Sequence, residues 1–440
     1  MDFNDEEITL FVERWTQALE KQAQGDTRLA QADAERERKE LLEAVERNAG
    51  VRQLAANPLL LTILALMKRQ GVTLPERRVE LYDQYVKTLL STWNRARGLG
   101  RPPDKDLDPV QTIKILAPLA LWMHETNPGV GLVKQGDLCR QLKTIYGQRG
   151  ESDPGHCAQQ FLEDVRKHAG LLLERGPREY GFIHLTFEEY LAAVAIALQA
   201  QGQVDAIVTA LAAHVGEPAW HEIGLLTVGY LGLIQQLDTV AGSVVDTLVS
   251  KQPGPAGAAV VLAGEATNDV GTVGIPSASR ERVRAALMET MQQDKTVPAE
   301  TRGRAGRALA TLGDPRPGIG LNGEGLPDLR WVRIPGTAVV RESGQFPGFK
   351  ELQLGDKAKP LEIADFELAV YPATVAQFRP FVEQGGYRED RYWSKTGWQE
   401  RKNEQWEAPL YWDDSTWMPA NHPVIGVSWY EVEAYCNWLN

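Results

Sequence analysis

Cysteine is scarce in this sequence. Its 440 residues contain three, Cys139, Cys157 and Cys436, an odd number with no short spacing between them. A disulfide framework or a zinc site needs paired or regularly spaced cysteines, so neither is expected. The pattern suits free, mostly buried thiols in a reducing compartment. Histidine is nearly as sparse, with seven scattered residues. His221-Glu222 lacks the second histidine of an H-E-x-x-H metal helix. Also missing are the G-x-x-x-x-G-K-[ST] loop that cradles nucleotide phosphates and the G-x-S-x-G elbow of serine hydrolases. The chain is therefore expected to carry no complete catalytic centre and no metal ligand set of its own.

Long apolar runs are absent too. Leu59 to Met67 and Leu191 to Leu198 fall well short of the roughly 20 residues that cross a bilayer. They read as buried helices, and the acidic, polar start is unlike a signal peptide. A cytoplasmic location with no membrane partner follows. Surplus positive charge is lacking: the net charge is −12, which argues against nucleic acid or an anionic membrane as the main partner. The basic runs Arg36 to Lys39 and Arg302 to Arg307 read as solvated helix faces.

What is present is an ordinary globular share of apolar residues, 43%, in a chain long enough for two to four domains at roughly 100–200 residues each. The first part, 1–104, reads as helical. Asn4 and Glu7 have the spacing of a capping box. Leu41, Leu42 and Val45 stripe the charged segment that follows. Asn57-Pro58 opens a buried helix, and Pro75 opens another that carries Val79, Tyr82, Tyr85 and Leu89 until Gly98 to Pro103 breaks it. Over 105–202 the spacing predicts helices at 110–125, 135–146 and 156–168, two short strands around a Gly-Pro turn, and a helix from Leu185. That order is a winged helix. Its 135–146 segment sets Lys134, Arg140 and Lys143 against Asp137, so protein or intramolecular contact ranks ahead of DNA. Irregular helical pairs of a HEAT-like kind are expected over 203–314.

Residues 315–330 are rich in Pro and Gly and read as a linker. Gly318, Gly320 and Gly323 spell G-x-G-x-x-G there, but neither the strand before nor the helix after that a dinucleotide fingerprint requires is in place. Eight of the twelve tryptophans lie at or after Trp331, which marks 331–440 as a separate domain packed on aromatics. Short strands, a helix at Pro372 to Glu383, a long aromatic loop and a helix from Trp429 are expected in it.

Two runs carry a resemblance over the first 200 residues. They are Ala56-Asn-Pro-Leu-Leu-Leu-Thr-Ile-Leu and Tyr180-Gly-Phe-Ile-His-Leu-Thr-Phe-Glu-Glu-Tyr-Leu-Ala-Ala. They resemble the second half of NACHT-type (STAND) signalling ATPases, a group that includes animal inflammasome receptors and bacterial anti-phage sensors. On the residues alone, Pro58 is a helix-start proline and His184 a histidine at a strand end. The resemblance implies nucleotide-facing roles for both: Pro58 against the adenine, and His184 on the β-phosphate of an ADP that holds the inactive state closed. It also implies that the phosphate loop and the Mg²⁺-binding acid belong upstream. The chain would hold no cofactor itself, with ADP or ATP bound by a partner NTPase core.

The C-terminal part resembles the formylglycine-generating (sulfatase-modifying) enzyme family. The matching residues are Trp331-Val-Arg-Ile-Pro-Gly, Tyr371-Pro-Ala-Thr-Val-Ala-Gln-Phe, Gly385-Gly-Tyr and Asn421-His-Pro-Val-Ile-Gly-Val-Ser-Trp-Tyr-Glu. The resemblance implies a C-type-lectin-like fold whose active cysteines lie beyond Asn440, Cys436 being a packing residue. The implied whole is multidomain and mainly α, followed by an incomplete α+β lectin-like domain. It reads as a regulatory and sensor fragment of a signalling NTPase, with an unknown ligand or protein on its C-terminal domain. The alternative is a formylglycine-generating-type oxidase completed by later residues. In an incomplete domain, Trp429, Tyr430, Tyr435 and Trp438 are expected to leave apolar surface uncovered.

Overall fold

The computed structural model describes residues 3–69, 71, 73–91, 108–168, 171–339, 361–414 and 416–440. Two units divide the chain, Met1–Ala305 and Gly306–Asn440. The expected division at 104/105 and the Gly98 to Pro103 break lie outside the described residues. No described helix is long and apolar enough to cross a membrane.

The first unit opens with α1 (Asp5–Gln24) packed on α2 (Arg28–Arg47). Asn4 and Glu7 form the expected reciprocal cap, each side chain accepting the other's backbone N–H at 2.9 Å. After α3 (Ala49–Ala55), Asn57 accepts from the N–H groups of Leu59 and Leu60 and starts α4 (Pro58–Arg69). Leu60, Leu61, Ile63, Leu64 and Met67 are buried there. The next helix, α5 (Arg78–Ser91), begins three residues later than Pro75. The basic run Arg36 to Lys39 behaves as a solvated face does, with Arg36 and Arg38 paired to Asp33 and Glu35 one turn away, whereas in the run Arg302 to Arg307 Arg304 is half-buried against Glu265 and His221.

A winged helix follows: α6 (Pro109–Thr126), β1 (Val133–Lys134), α7 (Gln135–Gln148), α8 (Pro154–His168), β2 (Leu172–Gly176), β3 (Glu179–Phe182) and α9 (Leu185–Ala200). The strands form an antiparallel sheet in the order β1-β3-β2. Gly181 explains a fixed letter of the second run: a Cβ there would lie 2.6 Å from the Gly131 carbonyl oxygen, so only glycine lets the loop before β1 press on β3. Helix α9 is apolar on nearly every face and packs on α6 and on the helices that follow.

Those are α10 (Val204–Ala212), α11 (Pro218–Gly229, continued by a π-turn Tyr230–Ile234), α12 (Asp238–Lys251), α13 (Ala258–Val270), α14 (Ser277–Gln292) and α15 (Ala299–Leu312). α11 stacks on α13, while α10, α12 and α14 form a second row. This side-by-side stacking of helical pairs is the solenoid arrangement.

The second unit is α+β. β4 (Trp331–Ile334) pairs with β7 (Phe366–Ala369), and β5 (Thr337–Val339) with β6 (Leu361–Ile363), both antiparallel. Three helices, α16 (Val375–Glu383), α17 (Lys395–Asn403) and α18 (Trp429–Leu439), surround a core of Phe378, Phe381, Tyr387, Trp393, Ala434 and Tyr435. Helix α17 lies where a continuous aromatic loop was expected. Gly386 presses against this core: a Cβ there would fall 2.1 Å from the Phe381 ring. Glu431, buried at the start of α18, accepts from the Ser428 N–H at 2.6 Å and from the Tyr387 hydroxyl at 2.6 Å.

Residues 315–330, expected as a linker, are hydrogen-bonded into this unit. The fully buried Gln377 amide donates to the carbonyls of Gly318 and Asp328. Thr374 donates to the Ile319 carbonyl at 2.6 Å. The glycine-rich run Gly318 to Gly323 ends in a tight turn closed by Asn322 N–H to Leu326 O. Two other expectations change. None of the three thiols is buried: Cys139 and Cys157 are half-buried and Cys436 is exposed. Of the four aromatic residues on α18, Tyr435 is buried and Trp429 is 78% exposed.

Candidate functional site

His184 sits between β3 and α9 as the N-cap of that helix. Its Nδ1 accepts the Thr186 backbone N–H at 3.2 Å and lies 3.0 Å from the Thr186 hydroxyl. In a neutral imidazole that accepts at Nδ1, the proton is on Nε2. The side chain is solvent-exposed, and Nε2 makes no hydrogen bond among the described residues. The cap thus leaves an N–H donor facing solvent, suited to an anionic oxygen. Partial loss of solvent around the ring, and then the positive charge of Arg175, hold the His184 pKa below its ordinary 6.5. The ring stays neutral with its donor intact at neutral pH.

Arg175 was not singled out by sequence reading. It occupies a β-bulge: Glu174 pairs with Tyr180 and Gly176 with Glu179, leaving Arg175 as the extra residue. A bulge re-aims a side chain. Here the guanidinium reaches along β3 and Nη2 donates to the carbonyls of Phe182, at 3.0 Å, and Ile183. Those carbonyls immediately precede His184. An arginine at the end of a strand that enters a Gly-Pro turn carries no other signal in the sequence.

Pro58 is half-buried at the first position of α4, where its missing N–H costs no helical hydrogen bond. Pro58 and His184 therefore both stand at helix N-termini, on α4 and α9, and α5 packs against both helices. No hydrogen bond or ring contact joins the two residues among those described.

Below the surface, α9 carries a second set of polar groups. His124 of α6 and Glu188 are fully buried, with Nδ1 3.2 Å from Oε1. Among the described residues, His124 Nε2 and Glu188 Oε2 have no hydrogen-bond partner. Its neighbour Glu189 is raised to about 7 by burial and the nearby Glu222 charge, against His124 and Arg78. Arg78 of α5 pairs with Glu222 of α11, Nη1 to Oε2 at 2.9 Å, and with Asp269 of α13. Further along the same helices, Glu265 bonds to His221 at 2.8 Å and to Arg304 at 2.7 Å. These groups link helices. Among the described residues, no set of three or more His, Cys, Asp or Glu side chains is placed to hold a metal ion.

In the second unit the Asn421-His-Pro run is structural. Asn421 donates to the Gly306 carbonyl and to Asp314, and Val375 N–H donates to the His422 carbonyl. Burial raises the Asp314 pKa, but hydrogen bonds from Arg316 and Asn421 outweigh it and hold the carboxyl below its ordinary value.

Comparison with known families finds two matches. Residues 78–196 match the winged helix-turn-helix domain C-terminal to NACHT, a span that begins at the first residue of α5. Residues 330–440 match the sulfatase-modifying factor enzyme 1-like domain. Curated relatives include hercynine oxygenase of Mycolicibacterium smegmatis, 30% identical over 173 residues, covering 36% of this chain and 38% of that protein. The hercynine oxygenase of Mycobacterium tuberculosis is 32% identical over 96 residues, covering 19% of this chain and 23% of that protein. The chain thus spans well under half the length of the curated relatives it matches. By these matches the protein combines a winged-helix domain of the NACHT-associated kind at 78–196 with a sulfatase-modifying-factor-like domain at 330–440.

Proposed function

We propose that the chain is the regulatory and sensing part of a NACHT-type signal-transduction NTPase that works in the cytoplasm, in the manner of prokaryotic defence sensors. Its partner is an NTPase core that holds adenine nucleotide. His184 contacts the β-phosphate of ADP and Pro58 the adenine, so that the winged helix closes on the core while ADP is bound. The lectin-like C-terminal domain receives a ligand or protein. A ligand that binds better to the open state shifts the population towards it. Nucleic acid and membrane play no part in this reading.

The observation that carries it is the outward Nε2–H of His184, held by a cap on Nδ1. A neutral imidazole that caps through Nδ1 carries its proton on Nε2, and here that donor is left for an anionic oxygen to meet. The test is histidine NMR of the chain titrated with ADP, pyrophosphate and adenosine. ADP and pyrophosphate should move the His184 signal, and adenosine should not. A His184 signal unmoved by millimolar ADP reduces the residue to a helix cap.

A second reading rests on the similarity to hercynine oxygenases. In it the C-terminal domain belongs to an oxygen-using enzyme of the formylglycine-generating type, and the first unit is its scaffold. Calorimetry with hercynine separates the two: saturable binding lost on disruption of residues 331–440 favours the enzyme, and no heat favours a sensor of a different ligand.

A further inference from the structure

The bulge in the wing serves no purpose in sheet pairing: it leaves one residue of β2 unpaired beside a short strand. What it does is turn Arg175 towards the strand end. The two carbonyls that Arg175 holds, those of Phe182 and Ile183, are the last before His184. Ile183 is tied on its other side by N–H to the Leu171 carbonyl at 2.7 Å. The turn into α9 is thereby fixed by donors that are not part of the helix, and the imidazole is set where its Nδ1 meets the Thr186 N–H.

We infer that Arg175 is the positioning residue of His184: from the wing bulge it clamps the backbone ahead of the histidine and fixes the ring as an outward Nε2–H donor for a phosphate group. The phosphate rests on the functional reading given above, whereas the clamp stands on the wing geometry alone. Both bonds leave one nitrogen, Nη2, which stands farther out along the side chain than a lysine ammonium does, so lysine would bring the charge without the reach. Charge and reach therefore separate experimentally. Among the described residues, Arg175 is also the charged side chain whose field acts on the ring.

The experiment uses the whole chain labelled with ¹⁵N-histidine, its His184 signal assigned by loss in His184→Gln. In the unsubstituted protein the neutral ring should be the Nε2–H tautomer. In Arg175→Gln the tautomers should mix, and the titration midpoint should rise towards the ordinary 6.5. Arg175→Lys should keep the low midpoint yet lose the single tautomer, because the charge remains and the shorter side chain falls short of the two carbonyls. The other six histidine signals, unchanged, show that each variant is folded. A His184 tautomer and midpoint identical to the unsubstituted protein in Arg175→Gln would overturn the proposal. If that variant does not fold, an unchanged tautomer in Arg175→Lys overturns it equally. ADP supplies the second arm. If it leaves the unsubstituted His184 signal unmoved while Arg175→Gln still mixes the tautomers, the nucleotide reading fails and the positioning role stands.

Discussion

Glu189 is nine-tenths buried and makes no hydrogen bond among the described residues. Burial and the neighbouring Glu222 and Glu188 charges hold its proton on until about pH 7, against an ordinary 4.5. The folded state therefore binds this proton more tightly than the unfolded state does. Below pH 4.5 both states keep it and there is no effect. Between 4.5 and 7 the unfolded chain ionises first, so stability falls as pH rises. Above 7 the full destabilisation is present, about 3 kcal/mol if the whole difference is expressed. Glu189→Gln should remove this slope. Denaturant unfolding at pH 5 and pH 8 measures it: the variant should gain on the original protein by up to that amount between the two. A stability gap equal at both pH values would mean that Glu189 ionises normally.

At the level of elements, α5 is the crossing point of the first unit. Its Tyr82 and Tyr85 meet Phe187 of α9 at ring distances of 6.0 and 5.3 Å, and its Asp83 accepts from the Tyr190 hydroxyl at 2.9 Å. Arg78, at its first turn, is held by carboxylates from two different repeat helices. Arg78→Met would leave Glu222 and Asp269 facing each other and take from Glu189 one of the two groups that favour its ionised form. Removing one partner of a buried pair costs about 3–5 kcal/mol. Since about a third of each carboxylate side chain is exposed, roughly 1–3 kcal/mol is expected. Hydrogen exchange should show the loss concentrated in α5, α11 and α13. Loosening confined to α1 and α2 would contradict a coupling role.

Much of this level was legible in advance. The Asn4/Glu7 cap, the Asn57-Pro58 start and the wing strands depend on neighbours a few residues apart, and such signals survive in a bare sequence. What was missed depends on distant partners. β1 is two residues long and exists because β3 lies beside it. α17 has no apolar stripe, only a Ser394 cap and charged faces. The 315–330 segment has a linker's composition, and its order comes from Gln377, some fifty residues away. At the site, His184 was visible through its surrounding run, whereas Arg175 required knowledge of the bulge that aims it.

At the scale of the whole molecule, the two units have different spectroscopic weights. Most of the helix lies in Met1–Ala305, while eight of the twelve tryptophans lie at or after Trp331. Far-ultraviolet circular dichroism will report mainly on the first unit and tryptophan emission mainly on the second. The second unit has the smaller core and leaves Trp429, Leu410 and Leu368 more than half exposed, so it should unfold at lower denaturant. Emission should therefore change before ellipticity, and coincident curves would indicate a single cooperative body.

Glu431 binds two residues into a shared history. One carboxylate oxygen caps its own helix and the other receives the Tyr387 proton. Glutamine serves equally well in a capping box, but its amide brings a single acceptor oxygen. If that oxygen caps, the tyrosine proton is left without a home. With phenylalanine at 387 the second acceptor is no longer needed, and glutamine at 431 becomes acceptable. The order of changes then matters: the loss of the hydroxyl opens a route that the loss of the charge, coming first, closes. Among descendants of this sequence, the two positions should drift as a pair, with phenylalanine at the first appearing wherever glutamine has replaced the acid at the second.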